Sequence, residues 1–290
     1  MGSPALLGCD FSSSPTRHKN IVLAWGHHAD GCVVLTRLER LSSLSDFAAV
    51  LAQPQAWVGA FDLPFGLPRE LVETLGWPLR WLDCIRHFSG LDRTQVRSQF
   101  AAFCDARPAG SKFAHRGCDF AAGSSPSMKW VNPPVAYMLH AGVPLLLDAG
   151  VDFPGLYSGD PRRVALEAYP GLLARRVLDG WQPGALGVGR RSYKSDDKAK
   201  QTPERLQARQ DLVQALESGQ GTHGAVGLGL RLGINADQRK SLVDDASGDA
   251  MDAVLCMLQA GWAAEQHAAG VARYGLPIDM DPLEGWIITA

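Results

Sequence analysis

Carboxylates stand in this sequence where a fold could gather them into one site. Asp10 follows the apolar run 6–9, and Asp62 directly follows a second apolar run, 57–61. Glu167 lies near the end of a third such run. Because side chains at the ends of strands in an α/β sheet point into the crevice where ligands bind, we expect these acids to meet there.

Three further aspartates are spaced for one face of a helix. Asp245, Asp249 and Asp252 follow one another at intervals of four and then three residues, and such positions are neighbours on a helix surface. Asp245 and Asp249 could simply be favourable charges at a helix N-terminus. Asp252 is followed by the apolar run 253–256, where an ionised carboxylate is costly unless it is paired or bound to a metal.

A set of carboxylates held close together needs a cation, because the like charges repel one another. Their hard oxygen atoms suit Mg²⁺ or Mn²⁺, which keep water ligands that a phosphate oxygen can displace. Two such ions about 3.5–4 Å apart can activate a water molecule and stabilise a leaving oxygen. A single aspartate after a strand is more often a turn or capping residue, so the prediction of metal-assisted phosphodiester hydrolysis depends on the whole set.

The elements that must position these acids follow an α/β pattern. Runs of apolar and β-branched residues predict strands at 6–10, 21–25, 32–38, 57–61, 163–169 and 285–289. Apolar residues at helical spacing predict helices at 41–53, 135–147, 172–178, 202–217 and 248–264. Residues 69–160 show weak periodicity, and we interpret them as an insertion or cap over the site within a single domain of 290 residues.

Composition narrows the class of protein. With 46% hydrophobic residues the chain can build one large core. The formal net charge of −2 is not the strong basic excess typical of nucleic-acid-binding domains, although a local basic patch can lie beside an acidic site. The chain has no apolar run of the roughly 18 residues that a membrane span needs. Its six cysteines are too sparse for a disulfide framework, so we expect a cytoplasmic protein.

One basic stretch could contact substrate phosphates or could equally be a solvated surface. Its members are Arg190, Arg191, Lys194, Lys198, Lys200, Arg205 and Arg209. Tyr193 and Lys194 within it, and Ser12 and Ser13 after the first strand, are the predicted substrate-binding residues. Arg116, in the insertion, could add a further phosphate contact.

Two Cys/His pairs have residue types that suit zinc. Cys84 and His87 form one pair, and His115 and Cys118 form the other. Neither pair lies in a recognisable zinc-knuckle or zinc-ribbon sequence, so packing is the simpler interpretation for all four.

Five segments, taken in order, resemble one protein family. They are Gly8-Cys9-Asp10-Phe11-Ser12-Ser13, Asp62-Leu63-Pro64-Phe65-Gly66-Leu67-Pro68, Glu167-Ala168-Tyr169-Pro170, Asp249-Ala250-Met251-Asp252-Ala253 and Glu284-Gly285-Trp286-Ile287. In their residues and in their order along the chain, these segments are similar to the predicted RNase H-like nucleases known as domain of unknown function 429. The predicted order β-β-β-α-β at the start of the chain is also the opening of an RNase H-like sheet.

The resemblance implies a fold and a set of site residues. It implies a mixed five-stranded sheet flanked by helices, with acids on the first strand, the fourth strand and the last helix. By that match, Asp10, Asp62, Asp249 and Asp252 are the expected ligands of Mg²⁺ or Mn²⁺, and Glu167 is a further catalytic candidate. The implied activity is metal-dependent hydrolysis of DNA or RNA, with nucleic acid as the partner.

Two other functions stay open at this level. A phosphotransferase of the actin and sugar-kinase type shares the RNase H-like core, and Asp10 with the serines that follow it could mimic its first phosphate loop. Against this, the chain has no convincing glycine motif for binding adenosine. A non-catalytic nucleic-acid-binding or scaffold protein is the second alternative, and clustered acids without a cation would destabilise such a fold.

Overall fold

The computed structural model describes residues 4–180, 191–221 and 228–290. Seven strands form one mixed sheet: Ala5–Asp10 (β1), Ile21–Ala29 (β2), Cys32–Leu41 (β3), Trp57–Asp62 (β4), Val151–Asp152 (β5), Asp160–Glu167 (β6) and Arg231–Gly233 (β7). Their order across the sheet is β5-β6-β4-β1-β2-β3-β7. The chain is therefore an α/β protein, with β1 at the centre of its sheet.

Strand directions change at β1. It pairs antiparallel with β2, which pairs antiparallel with β3, whereas β4 runs parallel to β1 and β6 runs parallel to β4. In the β1–β4 register, Asp10 lies opposite Asp62. Since parallel strands end at the same edge of a sheet, these two acids emerge side by side.

The sheet differs from the prediction at its edges and near residue 287. Seven strands are present instead of five, because the two-residue β5 and the three-residue β7 extend the outer edges. The predicted strand at 285–289 is wrong, since Ile287 makes only one bridge, to Glu167. Gly285 and Thr289 have φ of 69° and 70°, values in the left-handed region that a β-strand does not use.

Helices cover both faces of the sheet. They are Leu44–Leu51 (α1), Arg69–Thr74 (α2), Trp81–Gly90 (α3), Arg93–Asp105 (α4), Gly117–Ala122 (α5), Val135–Asp148 (α6), Pro170–Asp179 (α7), Pro203–Ser218 (α8), Ala236–Asp244 (α9) and Asp249–Ala268 (α10). Residues alternate between two hydrophobic cores along β1, where Leu6 packs with α10 and Leu7 packs on the opposite side with α1 and α6. The segment expected to be an insertion contributes α2 to α6. Of these, α2, α3, α4 and α6 pack on the face opposite α10, and α5 packs with Leu172 and Ile287 in a smaller cluster.

The longest helix, α10, is buried along most of its length and lies across the central strands. It begins after Gly248, whose φ is 80°. Although α10 has 20 residues, no helix in the described ranges combines the length and apolar character needed to cross a membrane.

Contact between α10 and β1 is made possible by a glycine. A Cβ on Gly8 would lie 1.9 Å from the carbonyl oxygen of Ala253 and 2.3 Å from the amide nitrogen of Met257. Both atoms belong to the backbone of α10, so a side chain at position 8 would have to push the whole helix away. Gly8 therefore sets the spacing between the first strand and the helix that carries Asp252.

We expect Gly8→Ala to destabilise the protein by about 3 kcal/mol, the upper end of the usual cost of overpacking, because the added Cβ meets backbone atoms that cannot move aside singly. Urea unfolding measures the change. Gly90→Ala is the matched control, since a Cβ there meets nothing within 4 Å and alanine is the better helix former. If Gly8→Ala were as stable as Gly90→Ala, the position of α10 would not depend on its close contact with Gly8.

Candidate metal centre

Three aspartates meet at the edge of the sheet where β1 and β4 end. Asp10 and Asp62 come from the adjacent ends of these strands, and Asp252 comes from the first turn of α10. One carboxylate oxygen from each lies within 4.8 Å of the others. In the described ranges, this is the one group of three or more His, Cys, Asp or Glu side chains so arranged. We call Asp10, Asp62 and Asp252 the acid cluster.

The prediction that Asp245, Asp249 and Asp252 share one helix face is wrong for Asp245, which lies before α10 at the end of α9. Asp252 is fully buried and belongs to the acid cluster, whereas Asp249 lies outside that group and lines a neighbouring cleft. Asp245 accepts a hydrogen bond from the amide of Ala250 at 2.9 Å and pairs with Arg40 at 3.1 Å. Asp245 therefore caps the start of the helix.

A lysine supplies positive charge to the acid cluster. Lys194 Nζ donates to one oxygen of Asp252, and the hydroxyl of Tyr193 donates to the other. Two hydrogen bonds hold the chain segment 193–195 against surrounding elements. Arg209 donates to the Tyr193 carbonyl at 2.8 Å, and the Ser195 amide donates to the Ala246 carbonyl at 3.0 Å. Both oxygens of Asp252 are thus engaged.

Asp10 and Asp62 have a different environment. Within the part of the chain that the structure describes, neither carboxylate accepts a hydrogen bond from a side chain or backbone amide. Burial, and then repulsion by Asp252, raise the pKa of Asp10 well above its usual range and the pKa of Asp62 to about 7. Burial alone would lower the pKa of Lys194, but Asp252 and the other acids raise it. With all three carboxylates ionised, the cluster would have more negative charge than one ammonium group neutralises, and the raised pKa values reflect that repulsion together with burial.

A cleft of about 410 Å³ opens beside Asp10. Ser12, Ser13, Lys19 and Asp249 line it together with Lys194. The hydroxyls and ammonium groups can contact phosphate oxygens. The predicted substrate-binding residues Ser12, Ser13 and Lys194 thus lie on one cleft, whereas Tyr193 is buried against Asp252.

Glu167 is held in a buried ion pair next to the acid cluster. Arg116 donates to both of its oxygens, at 2.7 and 2.8 Å, and the Phe65 amide donates to it at 2.8 Å. Arg116 also pairs with Asp119 at 2.9 Å. Arg116, Asp119 and Glu167 are all buried. Glu167 therefore holds the loop after β4, and the guanidinium of Arg116 pairs with protein carboxylates.

Most of the described residues of the basic stretch form ion pairs or hydrogen bonds with other parts of the protein, or are buried. Arg191 pairs with Asp211, Arg209 is buried, Lys200 pairs with Asp197 at 3.4 Å, and Arg205 donates to the carbonyl of Lys200. Arg190 lies outside the described residues. Of the members that the structure describes, Lys194 alone lines the cleft.

The two Cys/His pairs considered for zinc do not belong to a metal-ligating group of three or more among the described residues. His87 packs on Trp77 with ring centroids 4.9 Å apart, and His115 stacks on Phe120 at 4.7 Å. Cys84 and Cys118 are buried free thiols. These side chains contribute to packing.

Two features of the site were not anticipated. Lys19 lies in the turn after β1 and lines the cleft, and no local pattern marked it among other turn residues. Asp119 partners Arg116, and the spacing of three between them was a usable signal, since such positions are neighbours on a helix.

Comparison with known proteins gives no match: no protein-family model, no curated protein and no solved structure matches this chain. The resemblance to RNase H-like nucleases accordingly depends on the five sequence segments and on the geometry described above.

Stability without divalent metal should fall as pH rises from about 4 to 7. In this range the unfolded chain has released the proton of Asp62, whose pKa is normally 3.8, while the folded protein retains it up to a pKa of about 7. Each rise in pH therefore favours unfolding. We expect a lower Tm at pH 8 than at pH 5 in EDTA.

Asp62→Asn tests the origin of this pH dependence. The variant should have a higher Tm than the wild type at pH 8 and a smaller change in Tm between pH 5 and 8. Asp237→Asn, at an exposed position of α9, is the control and should behave like the wild type. A slope unchanged by Asp62→Asn would contradict the raised pKa.

Glu167→Gln should cost about 3–5 kcal/mol of stability, because it leaves the buried Arg116 without one of its two carboxylates. Guanidinium chloride unfolding measures this loss. Glu73→Gln removes the exposed partner of Arg69 and should change stability little. If the two substitutions had the same small effect, Glu167 would not have the structural role assigned to it.

Proposed function

We propose that this protein is a metal-dependent nuclease with an RNase H-like fold, which hydrolyses phosphodiester bonds of DNA or RNA using Mg²⁺ or Mn²⁺. One observation carries the proposal: Asp10, Asp62 and Asp252, which are far apart in sequence, present oxygens within 4.8 Å of one another. Such an arrangement is costly for a fold unless a cation uses it.

The topology supports the RNase H-like assignment. The central strands lie in the order β3-β2-β1-β4-β6, with β1 to β3 antiparallel and with β4 and β6 parallel to β1. The acids lie on the first strand, the fourth strand and the long α10, which are the positions that the family resemblance implies. Both features support the same family without depending on one motif.

The donor set fits a hard divalent cation. The three ligating groups are carboxylates, and two of them, Asp10 and Asp62, accept no hydrogen bond within the described ranges, so their oxygens are available. Asp249 lies on the wall of the adjacent cleft and is not a member of the acid cluster. A bound Mg²⁺ or Mn²⁺ would polarise the phosphate and lower the pKa of the attacking water.

The protein's own residues bind and orient the substrate. Lys194 lies at the acid cluster and on the cleft wall, so its ammonium group can pair with a phosphate oxygen in the cleft. Tyr193 holds the carboxylate of Asp252 in a fixed orientation. Ser12 and Ser13 offer hydroxyls beside Asp10 for the neighbouring phosphate.

We expect Asp10→Asn to abolish metal-dependent cleavage while the protein stays folded, because the substitution removes a ligand and also relieves repulsion within the acid cluster. The measurement uses labelled single-stranded, duplex and branched DNA and RNA, each with Mn²⁺, Mg²⁺ or EDTA. Asp237→Asn removes an exposed aspartate of α9 that is not part of the acid cluster, and this variant should retain wild-type cleavage.

The same experiment distinguishes the alternatives. If no substrate in the panel is cut but Mn²⁺ raises the Tm in an Asp10-dependent manner, a phosphotransferase or an enzyme acting on a small phosphoester is favoured. Hydrolysis of labelled ATP then tests the phosphotransferase. If nucleic acid is bound without cleavage and Mn²⁺ leaves the Tm unchanged, the protein is a binding protein and the nuclease proposal fails.

A further inference from the structure

Two cavities meet at the acid cluster. The first is the cleft beside Asp10, and the second has a volume of about 240 Å³ and is lined by Asp62. Lys194, Pro133 and Met138 line both. Because Asp10 and Asp62 belong to one cluster, a group held at that cluster has a cavity on each side.

The two cavities differ in chemistry. Serine, aspartate and lysine side chains make up most of the lining of the larger one. Apolar and aromatic residues are the majority in the smaller one, which we call the apolar pocket: Leu63, Pro64, Pro133, Val135, Met138, Ala168, Tyr169 and Ile287. Its charged lining residues are Asp62, Arg116, Glu167 and Lys194. A substrate that spans the cluster therefore places a polar group on one side and a largely apolar group on the other.

Tyr169 gives the apolar pocket a fixed aromatic wall. The guanidinium of Arg175 lies 5.2 Å from the centroid of its ring and donates to its hydroxyl at 3.3 Å. On another side the ring packs so closely on Gly171 that a Cβ there would lie 2.9 Å from it. These contacts hold the ring in place whether or not the pocket is filled.

The pocket also offers polar atoms to a ligand. The hydroxyl of Ser124 donates to Asp119 at 3.0 Å. The neighbouring Ser125 lines the pocket too, and its hydroxyl makes no hydrogen bond to the other described residues. A flat heterocycle with polar edges matches a pocket that has an aromatic wall, aliphatic side chains and a serine hydroxyl.

We propose that the apolar pocket binds one unpaired nucleobase of the substrate, adjacent to the phosphate held at the acid cluster. This inference rests on the proposed nuclease function and names its substrate class, unpaired or single-stranded nucleic acid. Pockets for drug-sized ligands measure about 300–1,000 Å³, so 240 Å³ suits a fragment of the size of one base. A base can enter such a pocket only after it leaves the helical stack, which disfavours intact duplex.

The test measures binding separately from cleavage. Fluorescence anisotropy, in EDTA, gives the Kd of a labelled single-stranded pentanucleotide and of the same strand with its central base removed, in deoxyribose and ribose forms. We expect the wild type to bind the complete strand more tightly than the abasic strand and more tightly than a duplex of the same sequence.

Tyr169→Ala should raise the Kd for the complete strand roughly tenfold, the size typical of losing one base–aromatic stack, and leave the Kd for the abasic strand unchanged. Tyr137→Ala is the matched control, since Tyr137 likewise pairs with an arginine, Arg93, 4.8 Å from its ring centroid, and does not line the pocket. Val135→Phe, which fills the pocket from the start of α6, should reproduce the effect if Tyr169→Ala does not fold.

The outcomes separate this proposal from the nuclease proposal. Equal Kd values for complete and abasic strands, or no effect of Tyr169→Ala and Val135→Phe, overturn the base pocket even if the enzyme cleaves DNA or RNA. Base-dependent binding that both variants remove supports the pocket even if the wild type cleaves nothing, in which case it is the nuclease proposal that fails.

Discussion

The site depends on how closely α10 lies against β1. Gly8 allows the helix backbone to approach the strand to a distance that no other residue would permit. Asp10 lies two residues further along the strand, and Asp252 lies one residue before Ala253, whose carbonyl is nearest to Gly8. The geometry of the acid cluster is therefore fixed by a backbone contact in the interior, away from the cleft. The side chains of the cluster need no mutual attraction to stay together.

Electrostatic balance is the second constraint. Three carboxylates with oxygens within 4.8 Å oppose one another, and Lys194 offsets part of that charge through Asp252. A short distance away the acids have a different environment, because Glu167 and Asp119 both pair directly with the buried Arg116. This ion-paired group stabilises a loop, whereas Asp10 and Asp62 form no ion pair with the other described residues. This difference distinguishes the structural acids from the candidate catalytic ones.

The sequence was a good guide to strands with long apolar runs and a poor guide to the rest. The runs that became β1, β2, β3, β4 and β6 marked the centre of the sheet and, with it, the positions of Asp10 and Asp62. Strands of two and three residues carry too little pattern to be recognised, and the run near Ile287 failed because its flanking residues have positive φ. Helical spacing grouped Asp249 with Asp252, but only the distances show that Asp252 alone joins the acid cluster. Glu167 was identified as an acid at a strand end, yet its partner Arg116 is 51 residues away and no local pattern connects them.

The ion pair between Lys194 and Asp252 bears on whether the chain can fold before a metal ion binds. Small metal domains in which the ion alone offsets the ligand charge are unfolded until the ion arrives. Here Asp252, the most deeply buried acid of the cluster, is already satisfied by Lys194 and Tyr193. If the proposed divalent ion binds at this cluster, the newly synthesised chain can therefore reach its native state before the ion arrives. Metal availability would then control when the protein acts, while the amount of folded protein stays constant.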